Sequence, residues 1–181
     1  LFSGIMHSTR PAKGKDMAKK HKDWLTGEHS KGDMGQLILA CLFAAIWIAD
    51  TFFLRYTTFL NQYIPLAIRI PCGIMVIAAA LYLGKVALTT VFAEENKDVG
   101  VIDKGIFGVV RHPVYLSEII IYTGLLIISM SLAAAAVWVI TIGFLHWISK
   151  YEEKLLLTRF GQDYEKHIQK VPMWFPRLFK K

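Results

Sequence analysis

The sequence predicts an all-α, polytopic membrane bundle of four to five helices, with a cytosol-facing C-terminal subdomain and no Rossmann fold. Three observations carry this expectation. First, 54% of the 181 residues are hydrophobic and only 19% are charged, against roughly 45–50% and 25% in soluble domains. Mean hydropathy is +0.40. Second, the apolar residues fall into three runs, 36–54, 63–92 and 114–149. Third, most Lys and Arg lie in the polar stretches outside those runs.

Residues 1–35 form a basic polar segment carrying Arg10, Lys13, Lys15, Lys19, Lys20, Lys22 and Lys31. No apolar h-region follows promptly, so its start does not read as a signal peptide. The first apolar run holds one charge, Asp50, and is long enough for one span over 36–55. The second, interrupted by Arg69 and Lys85, reads as one long span over 63–91. Pro65 and Pro71 in its first turns are placed to kink it or to split off a fifth helix. The third run would be about 54 Å as a single helix, too long for one crossing of a core about 30 Å thick. A turn at Ser129, Met130, Ser131 and Leu132 divides it into arms over 115–130 and 133–149. The chain therefore divides into a basic segment (1–35), first membrane helices (36–92) and a catalytic subdomain (93–181). That subdomain comprises a loop (93–114), a helical hairpin (115–149) and an amphipathic C-terminal region (150–181).

Charge tests this topology. The net charge is +7, from 21 Lys and Arg against 14 Asp and Glu. Four spans put the N-terminal segment, the 93–111 loop and the C-terminal region on one side. With Lys85 snorkelling there, 19 of the 21 basic residues share that side, leaving Arg55 and Arg69 opposite. The positive-inside rule makes it the cytoplasm, with both termini there. The charge excess is then orientation plus attraction to anionic lipid, and nucleic acid is not needed as a partner. Asp50 and Arg69 are expected to pair across helices. Cys41 and Cys72 are expected to be buried free thiols.

The sequence lacks a strand-bound G-x-G-x-x-G, a Walker loop, an H-E-x-x-H and a C-x-x-C, so no metal site is expected. The loop before the hairpin is more informative. Gly100, Gly105 and Gly108 permit close backbone approach to a ligand. Pro113 suits the first turn of a helix, with Arg111 and His112 just before it. That helix start offers free N–H groups and the positive dipole end to an anion. His112 and Tyr115, three apart, share a face. Taken alone, His112 also reads as a structural hydrogen-bonder. Likewise Glu152 and Glu153 read alone as acids favouring the positive end of an interfacial helix. The hairpin joins the two features, because both arms begin and end on one face and packed helices lie 8–10 Å apart. His112 and Tyr115 thus come near Glu152 and Glu153 in a pocket at the membrane boundary.

Arg111-His112-Pro113-Val114-Tyr115, Glu152-Glu153, Phe160-Gly161-Gln162-Asp163-Tyr164 and Val171-Pro172 together resemble the isoprenylcysteine carboxyl methyltransferase family. The resemblance spans roughly residues 93–176 and is that of a small prokaryotic member, related to phospholipid N-methyltransferases. It implies an integral-membrane enzyme that takes a methyl group from S-adenosylmethionine and esterifies a prenylcysteine-like carboxylate. It also implies a cofactor pocket of Val99, Gly100, Val101, Ile102, Phe107, His112, Pro113, Val114, Tyr115 and Glu152, with Glu153 the neighbouring candidate. No residue is singled out as a chemical catalyst; His112, Tyr115 and Glu152 would align the reactants. Two positions depart from the pattern. Ser117 stands where the family often has Gly. Ile148 stands where eukaryotic members carry a substrate-facing Arg, with His146 or Lys150 as substitutes.

A carboxylate is already ionised at neutral pH and needs no general base. An amine acceptor, as in a phospholipid N-methyltransferase, would need deprotonation. Glu118 and Tyr122, one turn apart, are placed to line the pocket floor or a lipid passage. Two other classes compete: an NADPH-dependent sterol-type reductase, for which the loop has few cations, and a membrane scaffold that binds no cofactor.

Overall fold

The computed structural model describes residues 30–95 and 100–175. Every regular element among the described residues is helical: α1 (Ser30–Ile48), α2 (Leu66–Glu95), α3 (Pro113–Ser129), α4 (Leu132–Phe160) and α5 (Gln162–Lys170). Val99, the basic residues before 30, and Lys97 lie outside the described residues.

Three helical stretches are long and apolar enough to cross a membrane: Met34–Leu54, Leu66–Phe92 and Leu132–Phe160. The 17-residue α3 is apolar but shorter. Large apolar side chains cover their outer faces, with Met75 67% and Tyr82 72% exposed. Such faces suit lipid contact, and the chain is an integral membrane protein of the all-α bundle class.

The third apolar run folds as a hairpin. Met130 adopts the left-handed conformation (φ 54°) and closes α3 through its N–H to the Leu126 carbonyl, 2.7 Å. Ser131 then caps α4, its hydroxyl accepting from the Ala134 N–H. Contrary to expectation, the second arm does not stop at 149. The residues after it (Lys150, Glu152, Glu153, Lys154, Leu155) favour helix, and nothing breaks the ladder before Gly161. At about 1.5 Å per residue the 29-residue α4 is about 43 Å long, so its last turns extend beyond a bilayer core. Only α5 remains of the amphipathic region as a separate helix. Pro71 lies inside α2 without splitting it; its missing N–H costs one intrahelical bond, to the Ala67 carbonyl, in the second turn.

α2 packs along α3, and α1 along α4. The first pair approaches closely at glycine. A Cβ on Gly73 would lie 2.7 Å from the Gly124 carbonyl oxygen, and one on Gly124 2.9 Å from that of Gly73. Small residues at such a seam allow tight helix packing in lipid. At the same seam Ser117 faces Gly84, where an added Cβ would sit 3.0 Å from the Ser117 hydroxyl. The glycine is thus on the partner helix. α1 reaches α3 through Phe43, stacked on Tyr122 at 4.2 Å, and through the Trp47 indole N–H, which donates to the Leu125 carbonyl.

The expected Asp50–Arg69 pair does not form. Asp50 is buried in a π-helical turn, Ala49–Leu54, after α1. It accepts from the Thr57 N–H at 3.1 Å, from the Thr57 hydroxyl and from the Ser131 hydroxyl at 2.6 Å. Arg69 donates to Asn61 Oδ1 and to the carbonyls of Ile64 and Ile128. Each charge therefore fastens the 55–64 connection to the hairpin tip. The thiols also differ from expectation: both are free, but Cys41 is exposed and Cys72 half-buried, on helix faces turned outward.

Candidate functional site

The hairpin and the long α4 bring α3's first turn beside α4's last turns. His112 is the N-cap residue of α3, with Pro113 at the first helical position; the imidazole makes no capping hydrogen bond. It is buried and faces α4 with both nitrogens. Nδ1 is 3.5 Å from Glu152 Oε2, and Nε2 is 3.5 Å from Glu153 Oε1. Nε2 makes no hydrogen bond despite complete burial. Tyr115 stacks on the imidazole at 5.7 Å with the rings 7° from parallel. Its phenol donates to Glu152 Oε1. The structure thus brings together His112, Tyr115, Glu152 and Glu153.

The two carboxylates differ in environment. Glu153 is bound by Arg111, which donates from Nε at 2.8 Å and from Nη2 at 2.5 Å to Oε1. Lys150 Nζ reaches Oε2 at 3.2 Å. Both members of the Arg111–Glu153 pair are buried. Glu152 is half-buried and its neighbours are the ring groups of α3.

The sequence places Arg111 at the head of the motif before α3 but assigns it no role in the pocket. Its Nη1 also donates to the carbonyls of Ile168 and Val171. Its backbone N–H donates to the Pro172 carbonyl, and the His112 N–H to that of Met173. One residue therefore ties the start of α3, the end of α4 and the C-terminal segment together. The available signal was a pair of adjacent acids facing a loop with a single arginine, and the Val171-Pro172 stretch. Trp174 inserts behind the site with Ile119, Leu145 and Ile148. Ile148, at the family's arginine position, is thus a core residue, 2% exposed.

Around this cluster α5 contributes Tyr164 and His167, both buried. Burial pushes the Tyr164 phenol above its usual range, and the Glu153 charge acts in the same direction. Burial lowers the His167 imidazole, reinforced by the Arg111 charge and opposed by Asp103. The remaining predicted residues lie before α3. Gly100 is exposed, and Val101, Ile102 and Phe107 are half-buried, Phe107 within a short 3₁₀ turn (Gly105–Gly108) that packs on α2. Pro113 is buried and Val114 half-buried at the start of α3. Among the described residues no group of His, Cys, Asp and Glu is arranged to hold a metal ion.

The ionisable cluster sits at one end of an apolar helical bundle of membrane-spanning type, where charged groups are costly and usually functional. Residues 62–163, more than half of the chain, match the family model described as phospholipid methyltransferase. The chain belongs to that family and is an integral membrane methyltransferase. No curated protein and no solved structure matches it.

Proposed function

We propose that this chain transfers a methyl group from S-adenosylmethionine to a lipid-borne acceptor, at a site facing the cytoplasm. The observation that carries the reading is His112. Its Nε2 is buried without a hydrogen bond, at a helix start that the side chain does not cap. Its nearest acceptor, Glu153 Oε1 at 3.5 Å, is already taken by Arg111, so the imidazole keeps hydrogen-bonding capacity for a ligand.

The donor set fits the cofactor's groups. Glu152, with Tyr115, suits ribose hydroxyls or the amino group. His112 and the positive end of α3, at Pro113 and Val114, suit a carboxylate. Phe107 and Tyr115 offer rings for the adenine or the sulfonium. The backbone from Val99 through Gly100, Val101 and Ile102 would complete the pocket. Glu153 takes a different part, because Arg111 already holds it; it fixes the geometry beside His112. When bound, the cofactor supplies an electrophilic methyl. The protein's contribution is alignment and exclusion of water. The boundary position lets a water-soluble cofactor and a lipid meet.

For the acceptor, the prenylcysteine carboxylate is the reading drawn from the sequence motifs. With Ile148 buried, its counter-charge would be Lys150, 52% exposed beside Glu153, with His146 on the turn before. A phospholipid amine is the second reading, and the position of Glu118 favours it. Titration calorimetry of the detergent-solubilised chain with S-adenosylmethionine and with NADPH tests the central claim. Heat with the first and none with the second is expected. The reverse, or no heat with either, overturns it. Methylation assays with a prenylcysteine and an ethanolamine lipid then separate the acceptors.

A further inference from the structure

The end of the bundle opposite His112 holds a buried cation with no counter-charge. Three membrane-length stretches meet one boundary there, at Leu54, Leu66 and Leu132. Arg69 lies in the first turn of α2 and is 7% exposed. Its Nε donates to the Ile64 carbonyl at 2.9 Å, and its Nη1 donates to Asn61 Oδ1 and to the Ile128 carbonyl. All three acceptors are neutral. The carbonyl end of α3, where Ile128 sits, supplies only a partial negative charge. Among the described residues Nη2 has no hydrogen-bond partner, and it is not one of the partnerless atoms sealed inside the protein. The guanidinium is therefore clamped along one edge and open along the other.

A charge taken out of water is costly unless an opposite charge accompanies it. Among the described residues no carboxylate pairs with Arg69. Asp50 is the one acid in residues 34–93, and residues 119–151 contain none. The Asp50 oxygens already accept from Thr57 and Ser131. The connection from α1 to α2 adds a second cation, Arg55, exposed just after the first span. It also turns aromatic rings outward, with Tyr56 79% and Tyr63 72% exposed. Such rings favour the level of the lipid headgroups.

We infer that this end of the bundle binds the phosphate of an anionic phospholipid, held by Arg69 Nη2 and Arg55, in the leaflet away from the catalytic cluster. Guanidinium N–H groups match phosphate oxygens in charge and geometry. The headgroup is anionic rather than zwitterionic, because an ammonium would find no unoccupied carboxylate at this end. The lipid is a ligand and not a methyl acceptor, since Ile128 lies about 20 Å along α3 from Tyr115. Neutralising Arg69 tightens the joint that it makes between α2, the connection and the hairpin tip. The inference holds whether or not the chain transfers methyl groups.

The test uses the full chain, purified in detergent, stripped of lipid and titrated with dioctanoyl phosphatidylglycerol, dioctanoyl phosphatidylcholine or inorganic phosphate. Thermal midpoints give the response, and native mass spectrometry counts the lipids retained. The glycerol lipid should raise the midpoint by about 5 °C or more at about 100-fold its Kd. The choline lipid should bind at least about tenfold more weakly, and inorganic phosphate should give no shift. Arg69→Gln should abolish the response. Arg69→Lys keeps the charge without the fork and should weaken binding at least about fivefold. Arg55→Gln, at an exposed position, should weaken it about threefold and decides the matter if neither Arg69 variant folds. Lys154→Gln, at the opposite end, should leave the response intact. Equal responses to the two lipids, a shift of the same size with inorganic phosphate, a response kept in every Arg69 and Arg55 variant that folds, or one lost in Lys154→Gln overturns the inference.

Discussion

Arg111 and Glu153 form a buried ion pair across the mouth of the α3–α4 hairpin, with Nε 2.8 Å and Nη2 2.5 Å from the same carboxylate oxygen. Removing one member of such a pair leaves the other charge buried and uncompensated, at a cost of about 3–5 kcal/mol. Arg111→Ala and Glu153→Ala should therefore each lower the thermal midpoint in detergent by at least several degrees. Arg111→Ala should do more, because the same guanidinium holds the carbonyls of Ile168 and Val171. Limited proteolysis should then cut near 171–175 in this variant before it cuts elsewhere. A melting curve superimposable on wild type would remove Arg111 from its place as the tie between the three segments.

Glu152 carries the opposite prediction. It touches His112 and Tyr115, the groups assigned to the cofactor, so its removal should cost binding first. Glu152→Ala and His112→Ala are expected to weaken S-adenosylmethionine binding at least about tenfold, equivalent to about 1.4 kcal/mol. Tyr115→Phe deletes only the phenol's bond to Glu152 and keeps the stacked ring. It should weaken binding by a few-fold. Calorimetric affinities unchanged in all three variants would sink the cofactor assignment.

The hairpin was legible because its run is too long for one crossing and breaks at two serines. That alone placed His112 and Tyr115 opposite Glu152. The partners of the charges were not legible. Asp50 and Arg69 have opposite signs, which invites pairing, yet hydroxyls and carbonyls satisfy them, and these leave no charge signal in a sequence. The end of α4 was misplaced because polarity changes at Lys150 while helix propensity does not. Gln36 was invisible as a partner of Glu118, since the two are 82 residues apart and only the docking of α1 brings them together.

The tip of the hairpin offers a test far from the site. Asp50 collects donors from Thr57 and Ser131, while the Thr57 hydroxyl also accepts from the Ala133 N–H at 2.9 Å. Hydrogen bonds to a charged group contribute about 1.5–3 kcal/mol each when the partner is removed. Asp50→Ala removes three such bonds and should lower the midpoint by at least about 9 °C, at roughly 2–4 °C per kcal/mol for a chain of this size. S-adenosylmethionine affinity should stay within twofold, since the tip lies at the other end of α3. A stable Asp50→Ala variant with weakened cofactor binding would contradict this division of labour.

His167 gives stability a pH dependence whose sign follows from its surroundings. Burial and the Arg111 charge hold its imidazole below the ordinary value of 6.5, although Asp103 pulls the other way. Above pH 6.5 the residue is neutral whether the chain is folded or unfolded, and it contributes no slope. As pH falls below 6.5, the unfolded chain takes up a proton that the folded chain resists. Stability should then decline until the pH reaches the depressed folded value, below which no further loss comes from this residue. His167→Gln cannot take up that proton, so it should flatten the decline beginning at pH 6.5. Midpoints measured at half-unit intervals from pH 8 to 5 provide the check. If the two curves keep the same slope below pH 6.5, protonation of His167 is not what loosens α5 from the Arg111 clamp.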